Sequence, residues 1–390
     1  AGSLVAGQDP HSGKGARPLM NKISKLIGGE EIVKGPKHHI VVSSRVRLAR
    51  NLNDVSFPGW AKKQDRLRVM EMVLPVLEQL PWMKDGWAEG LDHLTVLEKH
   101  VLVERHLISR EHAAKNVGSA VVISHDQSIC IMVNEEDHLR MQTLLPGLCL
   151  REVYGLIDEI DSCISDSLPL AFSPKFGFLT ACPTNVGTGM RASVMLHLPG
   201  LVLSEQINQI IQAVNKLSLA VRGLYGEGTE ASGNLFQVSN QTTLGEKETE
   251  IVERFEKVTN TIIEHEENAR LKLMESRPQV VADQIGRAYG ILTNGYVLNS
   301  REAMNLLSML ILGVDLGFFP KLPRALLDRL FIETQPSHLQ NRQNQKLTAE
   351  ERDELRATII REALLKIERP KIKHELLVRT DKGKSDKETK

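Results

Sequence analysis

Several things are scarce in this chain. It has only four cysteines in 390 residues, Cys130, Cys149, Cys163 and Cys182, and none stands in a C-x-x-C spacing. That excludes a disulfide framework and a zinc knuckle, and it is the usage of a reducing, cytoplasmic compartment. Neither sign of charge is in excess: Lys+Arg and Asp+Glu both number 49, so the formal net charge is +0. Bulk electrostatic binding to nucleic acid or to a membrane surface is therefore not expected, and any anion site must be local. The nearest approach to the ~18 consecutive apolar residues that a membrane span requires, Leu306–Val314, falls well short of it. Aromatics are sparse, at 4%. No repeat of the solenoid or propeller type is evident.

What is there reads as an ordinary globular protein, 41% apolar and 25% charged, which excludes a wholly disordered chain. Its length favours two domains, or one large domain with an extension. Residues 1–36 read as a leader, disordered in part, because they carry neither an apolar h-region nor helical periodicity. From Ile40 the pattern alternates: Val42, Ser44, Val46 and Leu48 are expected on one face, and Val41, Ser43, Arg45 and Arg47 on the other. Arg66–Leu80 predicts a helix interrupted at Pro75. Ala120–Ser124 and Ile129–Val133 predict a hairpin across His125-Asp126-Gln127. Arg191–Leu198 predicts a further strand, followed by a helix capped by Ser204 with Ile207, Ile210, Ile211, Val214 and Leu217 as its stripe.

Hairpins rather than βαβ units favour an α+β fold, an antiparallel sheet flanked by helices. After Gly245 the strand signals stop. A boundary near Leu244 divides residues 37–245, the expected catalytic domain, from 246–370, an all-α domain, with 371–390 as a charged tail. In the second domain Glu246–Ser276 predicts a long helix with Ile251, Phe255, Val258 and Ile262 along one seam. Helices are also expected at about Val280–Gly290, Glu302–Leu312 and Arg324–Thr334. The last opens with a capping box at Thr348-Ala349-Glu350-Glu351 and runs to about Glu368. Seams such as Ile251–Ile262 and Leu306–Leu312 are expected to lie open and to drive self-association.

Chemistry concentrates in arginines. Arg45, Arg47, Arg140, Arg191 and Arg222 fall on predicted strands and turns, and a stripe of them on one face repels itself unless an anion meets it. The guanidinium fork suits phosphate oxygens. Taken singly, each arginine is as well explained by a surface ion pair. Glu136 and Arg140 are four apart and would share a face if Glu135–Leu145 were helical. Glu227 closes the glycine-rich turn Arg222-Gly223-Leu224-Tyr225-Gly226-Glu227 and presents a second carboxylate. Cys182 opens a loop whose amides around Gly187 and Gly189 are expected to be exposed. It reads either as a small buried hydrophobe or as an activated thiolate beside the arginines. His106 and His112 are candidates for nucleotide contact or for plain packing.

Four segments in order, Ser43-Ser44-Arg45-Val46-Arg47-Leu48, Asn134-Glu135-Glu136-Asp137-His138-Leu139-Arg140, Cys182-Pro183-Thr184-Asn185 and Arg191-Ala192-Ser193-Val194, resemble the ATP:guanidino phosphotransferases, the phosphagen kinases. The resemblance implies an ATP site formed by Ser43, Ser44, Arg45, Val46, Arg47, His106, Arg140, Arg191, Ala192, Ser193, Val194, Met195 and Arg222, with Gly223, Leu224, Tyr225, Gly226 and Glu227. It implies that Glu136 and Glu227 clamp the acceptor guanidinium with Cys182 beside it, and that Mg2+ is held mainly through the nucleotide rather than by a metal site of the protein. The small-molecule kinases carry a helical domain before the Ser-Ser-Arg motif, and with that motif at residue 43 such a domain is not expected here. The helical region after the core is instead similar to that of bacterial protein arginine kinases of the McsB type.

In that branch the segment Arg352-Asp353-Glu354-Leu355-Arg356-Ala357 implies an allosteric phosphoarginine site formed by Arg352, Asp353, Arg356 and Ala357. By itself the segment reads as a solvated helical face. The resemblance also implies a homodimer, an McsA-type activator, substrates such as a CtsR-type repressor and damaged proteins, and the ClpC–ClpP protease as reader of the mark in a stress response. The expected reaction is transfer of the ATP γ-phosphoryl group to arginine in proteins, with Glu136 favoured over Glu227 as the base. A kinase of free arginine or another small guanidine is the alternative, and a phosphoarginine-binding adaptor a more distant one.

Overall fold

The structure is a computed structural model that describes residues 35–223 and 231–371. Its strands, in chain order, are β1 (Val41–Arg50), β2 (Trp87–Gly90), β3 (Ala120–Ile123), β4 (Ile129–Val133), β5 (Leu139–Pro146), β6 (Phe172–Ser173), β7 (Gly177–Phe178), β8 (Met190–His197), β9 (Leu219–Gly223) and β10 (Leu235–Asn240). Eight of them form one antiparallel sheet in the order β2-β3-β4-β5-β1-β8-β10-β9, and β6 and β7 pair separately. The helices are α1 (Lys63–Glu78), α2 (Val96–Glu104), α3 (Arg110–Ala113), α4 (Leu150–Ser167), α5 (Pro199–Leu203), α6 (Ile207–Lys216), α7 (Glu248–Ser276), α8 (Pro278–Asn294), α9 (Ser300–Asp315), α10 (Arg324–Glu333), α11 (Pro336–Gln343) and α12 (Ala349–Leu364). The expected α+β class with an antiparallel sheet holds.

The two faces of the sheet have different fates because strand side chains alternate. One face carries Val46 and Leu48 from β1 and Ala192, Val194 and Leu196 from β8. It is sealed by Val153, Ile157, Ile160 and Ile164 of α4 and by Ile251, Phe255 and Ile262 of α7, all in one apolar cluster. The spacing of those α4 residues puts them on one helical stripe. A second cluster, from Leu273 through Leu307, Leu327 and Leu339 to Leu364, holds α8–α12 together.

Buried charges join the two parts. Glu266 accepts from the backbone N–H groups of Gly200 and Leu201, both at 2.8 Å, and from Arg270 at 2.6 Å. Asp315 takes both Arg270, at 3.1 Å, and Arg324, at 2.7 Å. Each ion is paired more than once, which is the condition for tolerating charge away from water. No helix among the described residues is long and apolar enough to cross a membrane.

Several local expectations are corrected. α1 runs unbroken through Pro75. Its stripe Val69, Val73 and Leu77 is buried, while Pro75 and Glu71, whose carbonyl loses its partner, are exposed, so packing offsets the missing bond. A β-bulge between Val41 and Ser43 turns Val42 outward and Val41 inward, which breaks the strict alternation read from Ile40. Residues 135–145 are not a helix but a turn running into β5. Ser204 does not cap α6; it closes α5, donating to the carbonyls of Gly200 and Leu201. Leu217 lies outside the α6 stripe and is exposed. The last helix ends at Leu364 rather than near Glu368, and α11 has no counterpart in the sequence reading. The seams expected to drive self-association are spent within the chain: Ile251, Phe255, Ile262, Leu307, Leu310, Ile311 and Leu312 are all buried.

Candidate active site

The sheet register assembles the arginines. Arg47 lies directly across from Arg191 on β8, and across from Gln142 on β5. Arg45 faces Ser193, Ser193 faces Ser239, and Gln237 faces Arg222 on β9, while Ala49 faces Arg140. Since cross-strand partners share a face and successive residues alternate, Arg45, Arg47, Arg140, Arg191 and Arg222 all stand on the face opposite α4 and α7. Ser43 and Met195 share it. Ser44, Val46, Ala192 and Val194 point to the helix-covered side, where the Ser44 hydroxyl donates to the Gly147 carbonyl at 2.7 Å and accepts from Cys149 N–H at 3.0 Å.

The cluster is electrostatically loaded. Burial, then Arg140 and Arg191, lowers the Arg45 guanidinium to about 10. Burial, then Arg45 and the other neighbouring arginines, lowers Arg47 well below its ordinary value, and its buried Nε has no partner among the described residues. Arg191 is lowered by burial, then by Arg222 and Arg140. Among the described residues Arg45 makes long side-chain contacts, 3.4 Å to Ser193 Oγ and 3.3 Å to Gln237 Oε1. A face of cations with spare donors suits a polyphosphate.

Arg140 is aimed by a residue to which the sequence reading gave no role. Buried Glu135 accepts from its Nη1 at 2.7 and 2.6 Å, and also takes the Ser109 hydroxyl. The only sequence signal was its place beside Glu136. His106 is half-buried, and burial followed by the charge of Arg45 pushes its imidazole down to about 4, so it is neutral. His112 is interior packing, bonded to the Ala120 carbonyl at 3.0 Å.

Glu136 is the exposed member of the turn before β5. Burial, then the neighbouring carboxylates Asp137 and Glu135, raises its pKa. Asp137 yokes this turn to the cysteine loop: one of its oxygens accepts from Asn51 Nδ2 and from Ala181 N–H, both at 2.6 Å. Asn51 in turn accepts from His138 N–H at 2.9 Å. Neither Asn51 nor Asp137 was singled out by pattern, because their role depends on segments distant in sequence.

Half-buried Cys182 lies next to Ala181, its sulfur 3.0 Å from Thr184 Oγ1. The glycine amides beyond it are not exposed. Gly187 and Phe178 exchange backbone bonds, and the Gly189 carbonyl accepts from Ala49 N–H. Gly187, at φ +113°, sits where a Cβ would overlap the Thr243 carbonyl. Glu227, with Leu224, Tyr225 and Gly226, lies outside the described residues; Gly223 ends β9.

The helical segment Arg352–Ala357 lies on α12. Arg356 is buried and donates from Nε to the Thr334 carbonyl at 2.9 Å, and from Nη1 to the Leu298 carbonyl at 2.7 Å and to Asp353 at 2.5 Å. Arg352 is half-buried and donates to the Leu347 carbonyl at 3.1 Å, and Ala357 is buried. The segment is therefore not a solvated face, since both arginines are engaged by neighbouring backbone carbonyls.

Residues 68–269 match the ATP:guanido phosphotransferase C-terminal catalytic domain, and residues 278–375 the protein-arginine kinase McsB C-terminal domain. The chain is 43% identical over 349 residues to a protein-arginine kinase of Halothermothrix orenii, covering 89% of this chain and 99% of that protein. It is 46% identical over 352 residues to one of Brevibacillus brevis, with 90% and 98% covered. Among solved structures it resembles the duplicated taurocyamine kinase of Schistosoma mansoni with bound transition-state-analog components. That match has a TM-score of 0.55 and 28% identity, over 62% of this chain and 35% of that one. Lombricine kinase shares the fold at a TM-score of 0.53 and 23% identity, over 61% and 69%.

Proposed function

The chain belongs to the ATP:guanido phosphotransferases, on the protein-arginine kinase branch, and from that premise we propose how its own side chains move a phosphoryl group from ATP to arginine in a polypeptide. The supporting observation is the single-face arginine cluster. Arg45, Arg47, Arg140, Arg191 and Arg222 hold the phosphates, and bound polyphosphate relieves the repulsion that depresses Arg45, Arg47 and Arg191. A loose phosphoryl-transfer transition state spreads charge over equatorial oxygens, so fixed cations that need no reorganisation supply most of the stabilisation. His106 borders the nucleotide as a neutral ring.

Glu136 orients the target guanidinium and is the base. As the N–P bond forms and the bond from γ-phosphorus to the ADP oxygen breaks, the proton of the attacking nitrogen passes to the Glu136 carboxylate. A guanidinium gives up that proton poorly, with a pKa above ~12, and a carboxylate raised by burial and then by its acidic neighbours is the better acceptor. Glu227 is the second clamp, and Cys182 lies against the acceptor. By the resemblance, Mg2+ would ride on the nucleotide and add positive charge at the phosphates.

Arg352, Asp353, Arg356 and Ala357 bind phosphoarginine. Modified proteins are marked for degradation in a stress response, with a CtsR-type repressor as substrate, an McsA-type activator and ClpC–ClpP as reader, in the cytoplasm and as a homodimer. The resemblance supports these last roles. The test incubates the protein with Mg-ATP and either a disordered arginine-rich protein or free L-arginine, followed by mass spectrometry for acid-labile phosphate. Phosphoarginine on the polypeptide alone is expected. Transfer chiefly to free arginine would make this a small-guanidine kinase, and transfer to neither would favour an adaptor.

A further inference from the structure

We propose that Glu104 is a positioning residue for the nucleotide, anchoring the loop that carries His106 onto the arginine face by clamping the end of α2 to the start of α11. The inference rests on the reading that this face binds ATP. Glu104 is the last residue of α2, the end at which its own helix dipole penalises an acid. Its carboxylate is instead satisfied by another helix. It accepts from Ser337 N–H at 2.8 Å, His338 N–H at 3.0 Å and His338 Nδ1 at 2.7 Å. The two backbone N–H groups are ones that the first turn of a helix leaves without intrahelical partners, and the Glu104 side chain is only 13% exposed. A locally unfavourable choice that is fully satisfied by a distant element marks a constraint of the tertiary structure.

What the clamp holds lies two residues on. His106 takes a left-handed backbone conformation, φ +61°, which residues with a side chain adopt uncommonly. The carbonyls of His106 and Leu107 accept from Gln142 Nε2 at 2.8 and 3.2 Å, and Gln142 is the β5 partner of Arg47. The charge of Arg45 acts on the His106 ring. The line from α11 through Glu104, His106 and Gln142 thus ends among the phosphate-binding arginines. At its other end Arg356 holds the Thr334 carbonyl, two residues before α11, at 2.9 Å. The helical region therefore buttresses the nucleotide side of the cleft and does not merely adjoin it.

The test uses the full chain with Glu104→Ala, Glu104→Gln and His338→Ala. KM for ATP and kcat are measured on an arginine-rich protein, together with the melting temperature. Glu104→Ala is expected to raise KM for ATP about tenfold while kcat at saturating ATP stays within about twofold. Glu104→Gln, with one acceptor oxygen left, should fall between. His338→Ala, which keeps both backbone bonds, should raise KM about two- to threefold. A lower melting temperature with unchanged KM in Glu104→Ala would make the clamp purely structural and overturn the inference. If that variant does not fold, unchanged KM in the other two overturns it equally. A wild-type protein that neither binds nor turns over ATP would refute the underlying reading instead.

Discussion

Replacing Arg45 with methionine should make the nucleotide-free protein more stable and less able to bind ATP. Burial beside Arg140 and Arg191 lowers the Arg45 guanidinium to about 10. At ~1.36 kcal/mol for each factor of ten, the folded state disfavours this cation by about 3 kcal/mol. Arginine is charged in both folded and unfolded chains at pH 7, so the full penalty is present there and fades only as pH rises above about 10. Methionine keeps the apolar stem and removes the charge. The lost contacts, at 3.4 Å to Ser193 and 3.3 Å to Gln237, are long and contribute below ~1 kcal/mol each. The net gain expected without nucleotide is thus about 1–3 kcal/mol, read by urea unfolding. With ATP at a hundredfold its Kd the wild type should gain ~2.7 kcal/mol, and Arg45→Met much less at that concentration. A variant less stable than wild type without ATP, or equally stabilised by it, would refute the reasoning.

Glu136→Gln should lower kcat by about 10²–10⁴ with ATP affinity unchanged; equal losses would indicate a structural role. Because the Glu136 carboxyl is raised and a base must be unprotonated, the acid limb of the wild-type rate profile should lie above the ordinary carboxylate range, and a profile without that limb would count against Glu136. Asn51→Ala removes bonds to Asp137, Leu179 and His138. It should cost about 2–4 kcal/mol in urea unfolding and raise KM for the protein acceptor; an unchanged midpoint would dispose of the yoke between the Glu136 turn and the cysteine loop. Arg352→Ala and Arg356→Ala should abolish phosphoarginine binding on α12 while ATP binding persists. Only the second should also destabilise the fold, since Arg356 alone holds Thr334 and Leu298; retained phosphoarginine binding in both would sink that site.

Local sequence carried the alternating strands, the Thr348 capping box and the ordered motifs, because each is a short-range pattern with its own periodicity or turn chemistry. Three misreadings share a cause. Pro75 stands inside α1 because Val69, Val73 and Leu77 are buried by partners far along the chain. The Glu136–Arg140 spacing suggested a helix that the β5 pairing with β1 and β4 overrode. The apolar seams of α7 and α9 looked free because sequence does not say what covers them.

Residue types and their order were enough to name the chemistry: five arginines, a paired acidic turn and a lone cysteine spaced as a guanidino phosphotransferase spaces them. Their convergence required folding. The five arginines share a face only because β5, β1, β8, β10 and β9 pair in one register, and a slip of one residue would send each to the helix-covered side. Glu135, Asn51, Asp137 and Glu104 acquire their roles from partners between 5 and 234 positions away. Such contacts follow from how layers stack to bury apolar surface, which no local pattern encodes.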